Sequence, residues 1–263
     1  MIKAAFFDID GTLLSFNTHR VSPGTIKAFD ALHNRGILTF ISTGRPRQII
    51  PTMPIRFDGF ITMNGSYVFL APTAQSEPSE ILFKQSIPVE YSDRFIRYAD
   101  ENGITIFIFM PDAIGINAPD PILKSLQAQL DLERPPILTP DQLLGKEVCQ
   151  FIVIQPAAAD AKILEMMPGC RLPRWHPAFS DLINGDNSKA MGMQVIMDRF
   201  GIAREETIAF GDGGNDIEML DFAGIGVAMG NADDSVKAHA DYVTTDVDNE
   251  GIYNALLHFG VIE

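Results

Sequence analysis

The chain has little of what builds disulfide scaffolds, thiolate metal sites or membrane anchors. Only two cysteines, Cys149 and Cys170, and one tryptophan, Trp175, occur in 263 residues. Two isolated thiols cannot frame a small secreted fold and are too few ligands for a structural zinc. Cys149 lies in the apolar run Val148-Cys149-Gln150-Phe151-Ile152-Val153-Ile154, so it is expected to pack as a small buried hydrophobe. No apolar run approaches the roughly 20 residues that a membrane-spanning helix needs. The first residues enter a strand, Lys3-Ala4-Ala5-Phe6-Phe7, without the basic, apolar and small-residue order of a secretory signal. A cytoplasmic location and no membrane partner are expected. Basic residues are also scarce, with 20 Lys and Arg against 34 Asp and Glu and a formal charge of −14. Nucleic acids are held by dense Lys and Arg, so no nucleic-acid partner is expected. A small phosphorylated ligand stays open, because amides, one Lys and a divalent cation can reverse the sign inside a cleft.

What is present is a composition of 46% hydrophobic and 21% charged residues, that of a folded globular chain. The first third alternates strand and helix. A strand ends at Asp8, and Ser22-Pro23 is a cap and first-turn pair for an amphipathic helix that Gly36 stops. Residues 37–41 and 59–63 read as further strands, apolar throughout rather than alternating, as in a parallel sheet covered on both faces. The last third resumes the rhythm with a helix over 188–200, a strand over 207–210, a helix over 216–222 and a strand over 224–228. Such alternation predicts a doubly wound parallel-sheet α/β core. Residues 84–184 have a different texture, richer in Pro, with strands at 104–110 and 148–154 and helices at 89–102, 121–132 and 160–167. They read as an inserted α/β cap, so the expected core comprises 1–83 and 185–263.

Three polar segments follow core strands. In Asp8-Ile9-Asp10-Gly11-Thr12, carboxylates two residues apart in extended backbone point to one side, and Gly11 lets the chain turn away. Two such acids at the mouth of a parallel sheet repel each other unless a hard divalent ion sits between them. The bland reading of the segment alone is a surface turn with a helix-capping Thr, and its position directly after the first strand weighs against that. Ile41-Ser42-Thr43-Gly44-Arg45 offers a hydroxyl and backbone N–H groups to a phosphate, although Ser and Thr before a helix are usually ordinary caps. Gly211-Asp212-Gly213-Gly214-Asn215-Asp216 is an oxygen-rich loop whose bland reading is a cap for the next helix. Three such loops at three strand ends are harder to explain by capping.

With these motifs the chain resembles the haloacid dehalogenase superfamily phosphatases, in particular the Cof-type group (IIB) with an α/β cap, and the resemblance spans the whole chain. Asp8 to Thr12, Thr43 to Arg45 and Gly211 to Asp216 match the first, second and fourth family motifs. The third is a single lysine, best matched by Lys189, although Ala190 follows it where family members usually have Gly. The resemblance implies that Asp8 attacks phosphorus and that Asp10 protonates the leaving group and then activates water. It implies that Thr43, Gly44, Lys189 and Asn215 hold the phosphoryl group. Mg2+ would be bound by the carboxylates of Asp8 and Asp212 and the backbone carbonyl of Asp10, with Asp216 supporting it through water. The implied activity is a phosphohydrolase of small phosphorylated metabolites, sugar phosphates above all, with pyridoxal phosphate or nucleotides as rivals. A phosphomutase on the same scaffold, or a non-catalytic metabolite-binding regulator, is the alternative. Trp175 and His176 read as packing within the cap, with a substrate-facing position as the rival. His19, His33 and His258 read as ordinary helix or surface residues, Met191, Met193 and Met197 as core filling, and Asn64-Gly65 as a turn whose distance from the site the sequence leaves open.

Overall fold

A computed structural model describes residues 1–119, 121–122, 135–174 and 177–263. Most of the helix expected at 121–132, and both Trp175 and His176, lie outside the described residues. The strands in chain order are β1 (Ala4–Phe7), β2 (Leu38–Ser42), β3 (Gly59–Thr62), β4 (Tyr67–Leu70), β5 (Glu80–Lys84), β6 (Thr105–Phe109) and β7 (Ile114–Ile116), then β8 (Gln150–Ile154), β9 (Cys170–Arg171), β10 (Phe179–Asn184), β11 (Thr207–Gly211), β12 (Ile225–Ala228) and β13 (Tyr242–Val243). The chain divides into two compact units. The first comprises Met1–Arg45, Ile50–Phe83 and Ser188–Glu263, and the second Pro46–Ile49 and Lys84–Asn187.

The first unit is built on one sheet in the order β13-β12-β11-β1-β2-β3-β4-β5. Its central ladders, β12 through β3, are all parallel, and β4 pairs antiparallel with β3. The doubly wound α/β core expected from the apolar strands is the architecture found. Both faces of β1 are covered, as a continuous hydrophobic run requires. On one face Phe6 stacks on Phe40 with ring centroids 5.2 Å apart, in a cluster with Met193, Ile196 and Met197. On the other, Phe7 stacks on Phe210 at 5.1 Å and touches Phe29 of the helix Pro23–Asn34. Met193 and Met197 thus fill the core as expected, whereas Met191 is only half-buried and outside that cluster. The Ser22 hydroxyl accepts from the Thr25 N–H and caps the helix Pro23–Asn34.

The second unit carries the sheet β7-β6-β8-β10-β9, whose ladders are antiparallel. Ile106, Ile108, Phe151, Val153 and Leu182 line one face and pack with Phe95, Ile96 and Ile163 of the helices Val89–Glu101 and Asp160–Met166. Residues 46–49, expected with the core, group with this unit, where the Gln48 amide donates to the Pro111 carbonyl at 3.1 Å. Cys149 is buried within it, and burial pushes its thiol up to about 11. Among the described residues, no helix is long and apolar enough to cross a membrane.

Candidate active site

The parallel ladder carries Asp8 to the carboxyl end of β1. The Asp8 N–H still donates to the Phe210 carbonyl at 3.0 Å, so the residue sits one step beyond the strand, beside the end of β11. The chain then turns through Gly11 at φ +81°, where a Cβ would stand 2.1 Å from Asp212 Oδ2. Glycine is what lets the two loops approach so closely.

Lys189 begins the helix Lys189–Phe200, whose cap, Ser188, accepts from the Met191 N–H at 3.1 Å. Its ammonium is buried and donates to Asp8 Oδ1 at 2.6 Å and to Asp216 Oδ1 at 2.5 Å. The other oxygen of Asp216 accepts from the N–H groups of Asp212 and Gly213 at 3.0 and 2.9 Å, which fixes the loop after β11. Oxygens of Asp8, Asp212 and Asp216 all lie within 4.8 Å of one another. Asp212 is oriented by the Thr12 hydroxyl, which donates to Oδ1 at 2.9 Å, and by the Asn231 amide at 3.3 Å from Oδ2.

Three carboxylates therefore face one ammonium. Burial raises the Asp8 carboxyl from 3.8 to about 7, although the Lys189 charge works against the rise. Burial also lifts Asp212 well above its ordinary value, reinforced by the charges of Asp8 and Asp216. Burial alone would lower the Lys189 ammonium, but Asp216 and Asp8 more than offset it and hold the group charged. The acids are crowded beyond what one lysine neutralises, and all their donors are oxygen. That donor set fits a hard divalent cation and is unsuited to a thiolate or imidazole metal site.

Asp10 stands apart from this group. Its carboxylate accepts from Arg45 Nε at 2.8 Å and Arg45 Nη2 at 2.6 Å in a two-pronged ion pair. Thr43 and Gly44 follow β2. The Thr43 hydroxyl accepts from the Arg45 N–H at 3.1 Å, and its own proton is left for another acceptor. The Asn215 amide donates to Asn64 Oδ1 at 3.0 Å, and a Cβ on Gly44 would stand 3.3 Å from the Asn64 amide and 3.5 Å from that of Asn215. All the residues expected at the site thus lie in the first unit, and all but Asp10 form two adjoining groups. One holds Asp8, Asp212 and Asp216 with Lys189, the other Thr43, Gly44 and Asn215, while Asp10 is held apart by Arg45. Arg45, Asn64 and Asn231 join them without an assigned role from sequence. Asn231 follows β12, a fourth strand of the same sheet, and that placement was the available signal.

The family model of the haloacid dehalogenase-like hydrolases matches residues 5–256. A pyridoxal phosphate phosphatase of Escherichia coli is 31% identical over 271 residues, covering 95% of this chain and 97% of its own. A protein of Streptococcus pyogenes named a putative bifunctional phosphatase/peptidyl-prolyl cis-trans isomerase is 30% identical over the whole chain, which spans 55% of that protein's length. Among solved structures, a sugar phosphatase of subclass IIB superposes with a TM-score of 0.89 at 40% identity, over 99% of this chain and 100% of that one.

Proposed function

The chain belongs to the haloacid dehalogenase-like hydrolases, and we propose that it is a magnesium-dependent phosphohydrolase of small phosphorylated metabolites, sugar phosphates above all. The observation that carries this reading is the buried Lys189, bonded at once to Asp8 and Asp216 with Asp212 beside them. Lys189 holds Asp8 Oδ1, whereas Oδ2 accepts no hydrogen bond among the described residues. That oxygen attacks phosphorus, forms an aspartyl-phosphate and expels the substrate alcohol. Asp10, once protonated and released from its ion pair with Arg45, gives the leaving oxygen that proton, then takes one from the water that cleaves the new acyl phosphate at phosphorus. Thr43, the Gly44 amide, Lys189 and Asn215 hold the phosphoryl oxygens as negative charge develops. Magnesium, held by the carboxylates of Asp8 and Asp212 and the Asp10 carbonyl, would neutralise the crowded acids and shield Asp8 from an anionic substrate. Asp216 keeps Lys189 and the Asp212 loop in place.

Every residue given chemistry here lies in the first unit, so we assign the choice of substrate to the second. Greater identity to the sugar phosphatase than to the pyridoxal phosphate phosphatase, 40% against 31%, favours sugar phosphates. The test is a panel of phosphorylated metabolites with magnesium or with chelator, read by release of inorganic phosphate. Release from hexose phosphates that stops on chelation is expected. Activity indifferent to chelation contradicts the metal, and phosphate retained on an isomeric sugar identifies a mutase.

A further inference from the structure

The backbone between β3 and β4 turns through three consecutive residues with positive φ, Met63 at 50°, Asn64 at 52° and Gly65 at 91°. Glycine adopts this conformation freely, but methionine and asparagine do so at a cost. The two strained residues are fully buried, Met63 at 0% and Asn64 at 2% exposure. A left-handed pair inside the core persists only when its surroundings over-determine it, and such strain clusters at functional sites.

The surroundings here are three parts of the candidate site. The Asn64 N–H donates to the Thr43 carbonyl at 3.1 Å and the Met63 N–H to the Arg45 carbonyl at 3.2 Å. The left-handed turn thereby holds the Thr43-Gly44-Arg45 segment by both ends. Asn64 Oδ1 receives the Asn215 amide from the loop after β11. Gly65 lies so close to Ser188, the cap of the lysine helix, that a Cβ would stand 2.1 Å from the Ser188 carbonyl oxygen. A hairpin turn that served only to reverse the chain would need none of these contacts.

We propose that Asn64 is a positioning residue: the Met63-Asn64-Gly65 turn sets the register of the phosphate cradle, and the Asn64 carboxamide fixes Asn215 beside Gly44. The proposal rests on the phosphohydrolase reading, in which Asn215 and Gly44 contact the phosphoryl group. It separates the backbone role of the turn from the side-chain role of Asn64. Asn64→Gly keeps the left-handed backbone, and relieves its strain, while it deletes the acceptor that holds Asn215. The folded protein is expected to keep a Tm within about 4 °C of wild type. Its kcat/KM for phosphate esters is expected to fall at least about 10-fold, and inhibition by orthovanadate to weaken by a similar factor, because a misaligned cradle costs transition-state contacts. The double variant Asn64→Gly/Asn215→Ala is expected to be no worse than Asn215→Ala alone, since both act through one amide.

Orthovanadate binding, followed by its Tm increment in the presence of magnesium, provides a readout that needs no turnover. A wild-type protein that binds vanadate but releases phosphate from no ester contradicts the hydrolase reading and leaves the variant comparison to be read from those increments. Asn64→Gly with wild-type Tm, wild-type kcat/KM and wild-type vanadate inhibition overturns the positioning role. Strictly additive losses in the double variant overturn the route through Asn215. A wild-type protein that neither turns over nor binds vanadate overturns both readings.

Discussion

At the scale of single residues the site is governed by charge crowding and by one glycine. Gly11 combines a left-handed φ with a Cβ position already filled by the Asp212 carboxylate. Gly11→Ala is expected to cost about 1–3 kcal/mol of stability and at least about 100-fold in kcat/KM, by urea unfolding and steady-state assay. Wild-type turnover in that variant would show that Asp212 can move aside without consequence. The acids give a pH prediction. With its carboxyl raised from 3.8 to about 7, the metal-free folded protein binds a proton at Asp8 that the unfolded chain does not. That contribution to stability is fully present below the ordinary value and is lost as pH rises through about 7. Magnesium replaces the proton as the neutralising charge, so its Tm increment should be larger near about pH 8 than near about pH 5.5. Equal increments at the two values contradict the assignment. Asp8 and Asp212 were legible in sequence because each follows a strongly patterned strand, whereas Lys189 was singled out only through the family resemblance. Arg45 drew no role because a pairing with Asp10, 35 positions away, leaves no local trace. The same holds for Asn231 and Asp212.

At the scale of elements, the site depends on how strands end and helices begin. Lys189 projects from a first helical turn that Ser188 caps. Ser188→Ala is expected to remove about 1 kcal/mol, as loss of a Ser cap does, and to lower kcat as well, because the freed turn carries the lysine. An unchanged urea midpoint would mean that the cap contributes nothing. The core strands were legible within a residue or two because β1, β2, β3, β11 and β12 are buried on both faces and read as unbroken apolar runs. The strands that escaped notice lack that signature. In β5, Glu80–Lys84, an exposed Ile81 sits between charged ends, and β10 interleaves Ser180 and Asp181 with its apolar residues. The antiparallel β4 follows β3 through a buried turn whose Asn64-Gly65 pair was legible in sequence, although the strand after it was not.

At the scale of the whole molecule, an acidic chain of formal charge −14 assembles, in one of its two units, a compact group of acids around a single buried lysine. Family and core architecture were legible from three motifs and a strand rhythm, since both depend on local pattern. The identity of the substrate is not written in that way. We assign it to side chains of the second unit, which no spacing rule singles out. The account's central claim is that Asp8 becomes covalently phosphorylated during turnover. The direct measurement is an acid quench during turnover of a hexose phosphate carrying a labelled phosphoryl group, with magnesium present, followed by mapping of the label onto peptides. The account predicts label on the peptide that contains Asp8 and neither label nor phosphate release from a folded Asp8→Asn variant. Label at another residue, or phosphate release by Asp8→Asn at the wild-type rate, would contradict it.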